Sequence, residues 1–205
     1  MTQLEKTELT KRKILAAAES EFAEKGIWGA RIDMIAAAAG INKRMIYEHF
    51  GSKENLYKTV LERVYSRLTE YESENYIKGL SPVESIRNIV EVSFRFLESN
   101  PNFVRILMWE NLNNASYLDS SRASEMKNPT IDYIRGEIRR GKELGVFFKE
   151  ADEEQMVISL LNFEFSYFSN IHTLSGVLKT KLSDSSEIKK RSDFVSEMLI
   201  KYLRS

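Results

Sequence analysis

Residues 34–50 read MIAAAAGINKRMIYEHF. Two short segments, Ile32–Ala39 and Lys43–Phe50, flank Gly40-Ile41-Asn42. The alanine run of the first segment admits close packing. Gly40 supplies the left-handed backbone on which a helix ends, and Asn42 is a favoured cap for the next one. A short helix, a three-residue turn and a second short helix are the sequence form of a helix-turn-helix. In that arrangement Ile41 and Ile46 turn inward, while Asn42, Lys43, Arg44, Met45, Tyr47 and His49 face outward. A helix start rich in amide, guanidinium and ammonium donors suits phosphates and base edges.

The pattern on either side is helical throughout. Upstream, Ile14, Ala18 and Phe22 recur every four residues with Leu15 beside them, which marks one helix face over residues 10–25. Gly26 fits the end of that helix. Downstream, Gly51-Ser52 breaks the chain and a fourth helix runs from Lys53 to about Tyr76, with Leu56, Val60, Val64 and Leu68 as its stripe. Ser81 and Pro82 open a fifth helix, striped by Ile86, Val90, Phe94 and Leu97. Asn100-Pro101 ends it and begins a sixth, to about Leu112. Residues 113–120 read as a loop. A seventh helix spans about 121–144, with Pro129 a candidate break. Asp152 caps an eighth, to about Leu174, and a ninth follows the polar turn at 183–186. No strand pattern and no internal repeat stands out. The prediction is an all-α chain of about nine helices, with three short helices over residues 1–52 and longer ones over 53–205.

Composition narrows the function. Nine Gly and three Pro in 205 residues fall below the usual roughly 7% and 5%, which argues against a turn-rich all-β fold. No Cys is present, so disulfides, thiol nucleophiles and zinc–thiolate sites are excluded. The two histidines, His49 and His172, do not make a di-iron bundle, which needs Glu-x-x-His pairs: Ile46 and Ser169 stand three residues before them. No Ser–His–Asp arrangement can be read. Residues 136–142, GEIRRGK, have phosphate-loop spacing, but Glu143 follows where Ser or Thr is needed and no strand precedes. No cofactor or metal site is expected. Lys+Arg and Asp+Glu are 30 each, so a nucleic-acid role must rest on local charge. Residues 1–60 carry ten basic and eight acidic side chains, and Arg31, Lys43, Arg44 and Lys53 flank or occupy the two short helices. The polar N-terminus lacks a signal-peptide core, and no stretch is long enough to span a membrane. A cytoplasmic protein is expected.

Residues 14–61, ILAAAESEFAEKGIWGARIDMIAAAAGINKRMIYEHFGSKENLYKTVL, resemble the DNA-binding domain of the TetR family of transcriptional regulators. The ILxAAxxxFAEKG helix, the IAxxAGI turn, the KxxIYxHF recognition helix and the GSKExL opening occur in order and spacing. More loosely, ENL at 110–112 and EIRRGKELGVF at 137–147 resemble the C-terminal domains of that family. The resemblance implies an all-helical homodimer. Residues 1–52 would bind a palindromic double-stranded DNA operator, and residues 53–205 would bind a small-molecule effector and dimerise. DNA contacts would come from Arg31, Asn42, Lys43, Arg44, Met45, Tyr47, His49 and Lys53. Two positions depart from the family. Ala30-Arg31 replaces the usual hydroxyl pair before the second helix, with Arg31 a candidate to take over the phosphate contact. Arg44-Met45 replaces the usual small residues, which should change the bases read.

The eighth helix carries Phe163, Phe165, Tyr167 and Phe168 and is apolar nearly all round, so it must be buried on several sides. Core and dimer interface account for most such rings. Some would line an effector cavity, for which Phe94, Trp109, Asn111, Tyr133, Phe163 and Tyr167 are the candidates, with Asn162, Glu164 and His172 as further polar groups. The expected function is a ligand-released transcriptional repressor. A DNA-binding protein without an effector is the alternative, and an all-α enzyme a distant one.

Overall fold

The computed structural model describes residues 2–118 and 120–205. They form ten helices: α1 (Gln3–Gly29), α2 (Ile32–Ala39), α3 (Lys43–Phe50), α4 (Lys53–Asn75), α5 (Pro82–Ser99), α6 (Pro101–Leu112), α7 (Ser120–Glu143), α8 (Glu153–Ser169), α9 (Ile171–Leu178) and α10 (Ser185–Arg204). No strand occurs among the described residues. Packing divides the chain into two compact units. The first comprises residues 1–66 and 102–123, the second residues 67–101 and 124–205, so α4 contributes to both.

Local chemistry sets most helix boundaries. Ser81 and Glu84 form a reciprocal capping box at α5, with Pro82 at its first position, satisfying two backbone donors that a helix start leaves orphaned. Asp152 accepts from the N–H groups of Glu154 and Gln155 at α8. Thr2 and Glu5 cap α1 in the same reciprocal way, so this helix begins well before its periodic stripe. Gly26 does not end α1. The chain leaves helical geometry there (φ 65°, ψ 177°) and then resumes to Gly29.

In the first unit α1 packs on α2 and α2 on α3. Ile14, Ala18, Phe22, Ile35 and Ile46 are buried, as are Leu56, Tyr57, Val60 and Val64 of α4. The Phe22 and Tyr57 rings meet edge to face at 4.9 Å. In the second unit α10 packs on α5 and α8, and α5 on α8. Its core holds Ile86, Ile89, Val90, Ile134, Ile138 and Leu199. A Cβ on Gly141 would run into the Phe147 ring, and the Phe147 N–H donates to the Gly141 carbonyl. Gly141 of the GEIRRGK segment therefore serves a packed helix end.

Three further sequence expectations change. Pro129 lies inside α7 without ending it; Thr69 Oγ1 donates to the Met126 carbonyl (2.7 Å) and Thr130 Oγ1 to Glu72 (2.6 Å), fastening that stretch to α4. The loop expected over 113–120 includes position 119, outside the described residues, and α7 begins at Ser120. The expected eighth helix breaks at Asn170, whose side chain donates to the Ser166 carbonyl, so the last helix is the tenth. On α10, Ile188, Val195 and Leu199 are used up in the core of the unit, while Phe194 is 59% and Tyr202 49% exposed.

Candidate nucleic-acid interface and ligand region

The turn between α2 and α3 is built by three residues. Gly40 adopts φ 67°, ψ 37°, and its N–H meets the carbonyls of Ala36 and Ala37. Ile41 is half-buried. Asn42 Oδ1 accepts from the Arg44 N–H at 2.9 Å. Ile46 is the one buried residue of α3. Lys43, Arg44 and Tyr47 are exposed, and Met45 and His49 half-buried. Asn42 and Arg31 are exposed at the starts of α3 and α2, and Lys53 is half-buried at the start of α4. A single apolar anchor thus leaves the polar face of α3 open.

Three acidic residues that sequence reasoning missed organise this face. Lys43 Nζ lies 3.2 Å from Asp33 Oδ1, and Arg44 Nε donates to Glu48 at 2.7 Å. Exposed pairs of this kind contribute about 0–1 kcal/mol, so phosphate or a base edge displaces them readily. The Arg44–Glu48 pair is readable from its four-residue spacing. The third is Glu21. Arg31 caps α2 with no side-chain bond, and its own N–H donates to Glu21 Oε1 at 3.1 Å. Glu21 thus ties the chain before α2 to α1, and no sequence pattern announces it.

The candidate ligand residues divide between the two units. Trp109 and Asn111 belong to the first unit. Trp109 Nε1 donates to the Ala23 carbonyl (3.3 Å), and its ring lies where a Cβ on Gly26 would sit, 2.7 Å from that position. Its role there is to brace the bend in α1. Asn111 is exposed. Beside them Tyr57 donates to the buried Glu110 at 2.8 Å. Burial, reinforced by the Glu110 hydrogen bond and charge, raises the Tyr57 phenol well above its ordinary range.

The other four lie in the second unit and separate into core and two concavities. Phe94 is core, 2% exposed, against Tyr167 and Phe168. Tyr133 stacks on Tyr76 at 4.8 Å and 13°, beside a cavity of about 220 Å3 that also meets Thr69, Ser73 and Thr130. Burial first, then the charges of Glu72 and Glu164, raise the Tyr76 phenol. Phe163 and Tyr167 line a different cleft, of about 450 Å3. Among the described residues no cluster of acidic or histidine side chains is arranged to hold a metal, and no helix is long and apolar enough to cross a membrane.

Comparison with known proteins places this architecture. Residues 14–60 match the model of bacterial regulatory proteins of the tetR family, and residues 82–199, more than half the chain, match the tetracyclin repressor-like C-terminal domain. The chain belongs to the TetR family. It is 30% identical over 196 residues to the HTH-type transcriptional repressor NicS of Pseudomonas putida, covering 95% of this chain and 92% of that one. A TetR-like transcriptional regulator from Rhodococcus sp. RHA1 shares the fold at TM-score 0.70 and 21% identity, covering 93% of both chains. The regulator FadR from Bacillus subtilis, crystallised with stearoyl-CoA, does so at TM-score 0.71 and 17% identity, covering 93% of this chain and 98% of that one. This TetR-family chain is thus a DNA-binding transcriptional regulator.

Proposed function

We propose that this regulator is a cytoplasmic repressor, without enzymatic activity, that binds a palindromic operator as a homodimer and is released by a small-molecule effector. Residues 1–52 carry DNA binding, and residues 53–205 carry effector binding and dimerisation. The observation that supports it best is the open donor face of α3 over the single buried Ile46. Arg44 and Met45 read bases, with Asn42, Lys43 and His49 beside them. Tyr47, Lys53 and Arg31 take phosphates. Glu48 leaves the terminal guanidinium nitrogens of Arg44 for guanine by holding Nε.

Dimerisation draws on the apolar face that the chain itself leaves wet. Phe194, Met198 and Tyr202 follow at four-residue spacing on α10, and Ile158 of α8 is 42% exposed. Such patches mark interaction surfaces. For the effector, Phe163, Tyr167 and Tyr133 border the concavities of the second unit, and a fold neighbour was crystallised with stearoyl-CoA. An effector that prefers a conformer with wrongly spaced recognition helices lowers operator affinity by linkage. The change travels along α4, whose residues belong to both units.

Gel retardation tests the DNA reading. Lys53→Ala weakens binding to all sequences alike and lowers the salt slope by about one unit. Arg44→Ala removes about 1–3 kcal/mol of discrimination at one position per half-site. Equal loss on specific and random DNA would move Arg44 to the backbone. Light scattering that finds a monomer at micromolar concentration would remove the dimer.

A further inference from the structure

The cleft beside Phe163 and Tyr167 is walled by α8, α9 and α10. Its walls are fastened. The Tyr167 hydroxyl donates to the Leu182 carbonyl (2.8 Å), and the Leu182 N–H donates to Ser175 Oγ (3.1 Å). These bonds hold α9 and the segment after it against α8. The lining is apolar on one side, with Phe163, Leu174, Leu178 and Leu182, and charged on the other, with Glu187, Lys190 and Arg191. Its volume, about 450 Å3, falls within the roughly 300–1,000 Å3 of small-molecule sites.

The two cations differ. Lys190 is engaged by Glu187 at 2.6 Å. Arg191 makes no ion pair among the described residues, and its buried Nε has no hydrogen-bond partner there. What holds it is aromatic: its guanidinium carbon lies 5.9 Å from the Phe163 ring centre and 5.7 Å from that of Phe194. A planar cation steadied on two ring faces keeps its in-plane donors for an acceptor. A buried donor left unmet is costly, and a carboxylate or phosphate satisfies it. The exposed flanks of Leu174 and Leu178 need apolar cover, which an inorganic anion does not supply.

We propose that the α8–α9–α10 cleft binds a small organic anion with an apolar body. Its charged end lies on Arg191, with Lys190 beside it, and its body lies on Phe163, Leu174 and Leu178. This names the ligand class for the effector reading and rests on that reading for its regulatory meaning; binding itself does not.

Isothermal titration calorimetry of the full chain with decanoate, decanol and decyltrimethylammonium, below their micelle concentrations, tests it. Decanoate binds, decanol binds at least about ten-fold more weakly, and the ammonium does not bind. Arg191→Gln weakens decanoate about ten-fold or more, as expected for a lost charged anchor of about 1.4 kcal/mol, with unchanged mass by light scattering and an unchanged circular dichroism melt. Leu178→Ser weakens decanoate and decanol together. Equal affinity for the acid and the alcohol, or indifference of decanoate to Arg191→Gln, overturns the proposal. So does an absence of decanoate heat combined with loss of the dimer in Arg191→Gln, which assigns the cleft to a second copy of the chain. Decanoate binding that depends on Arg191 but leaves DNA retardation unchanged upholds the site and refutes the effector reading alone.

Discussion

Two aromatic assemblies of similar composition behave differently. In the first unit Trp109 lies on the bend of α1, Phe22 and Tyr57 meet edge to face, and Tyr57 donates to the buried Glu110 at 2.8 Å. In the second, Phe163 and Tyr167 of α8 border an open cleft, with Arg191 over one of the rings. Both assemblies contain rings and a charged group. The difference lies in whether backbone closes the space. Gly26 allows the Trp109 ring to lie directly on the main chain, whereas the chain breaks at Asn170 after α8 and a cleft stays open between α8, α9 and α10. Aromatic content therefore marks where burial is available, and the backbone decides whether it is taken.

The strongest way to break this comparison is to substitute both sides. Gly26→Ala forces a Cβ to 2.7 Å from the Trp109 ring at a φ of 65°, and should destabilise by about 2–4 kcal/mol in urea unfolding. Phe163→Ala, at a half-buried ring, should lose less than about 2 kcal/mol, keep operator binding and require more effector for release. Equal losses in the two variants would make the cleft ordinary core. A normal melting temperature with unchanged effector response in both Phe163→Ala and Tyr167→Ala would remove these rings from the ligand site.

A smaller effect sharpens the contrast. Tyr57→Phe leaves Glu110 without its donor, at about 1–3 kcal/mol. Tyr167→Phe removes a bond to a backbone carbonyl at a partly exposed site and should lose about 0.5–1.5 kcal/mol.

Alkaline pH gives a third test. Burial pushes the Tyr65 phenol up to about 12, and Tyr57 and Tyr76 are also raised. Above pH ~10 the unfolded chain releases these protons while the folded chain keeps them, so stability falls as pH rises. The phenolate absorbance of Tyr57, Tyr65 and Tyr76 should appear together with the loss of helix by circular dichroism. Early, non-cooperative ionisation of all nine tyrosines would contradict the burial of these three.

The legible parts of the molecule were those written locally. Asn42, Ser81-Pro82 and Asp152 announce helix starts because a cap acts within three residues. The α2–turn–α3 segment follows from Gly40 and the alternation of Ile46 with polar neighbours. The ligand candidates depended on contacts between residues far apart in sequence. Trp109 meets Ala23 across 86 positions, and nothing in its own neighbourhood separates it from Phe163. The break at Asn170 is hidden for another reason: apolar residues continue through it, so the helical pattern gives no stop.

Trp28 and Trp109 are the two tryptophans of the chain, and both lie in the first unit. Trp28 is 75% exposed, with its indole N–H on Asn113 at 3.1 Å; Trp109 is tucked against α1. Ultraviolet emission from this protein therefore has two reporters of different polarity, and none among the residues that form the α8–α9–α10 cleft. A compound that enters the cleft and shifts the emission maximum has had its effect relayed, which makes unlabelled protein its own optical gauge of communication.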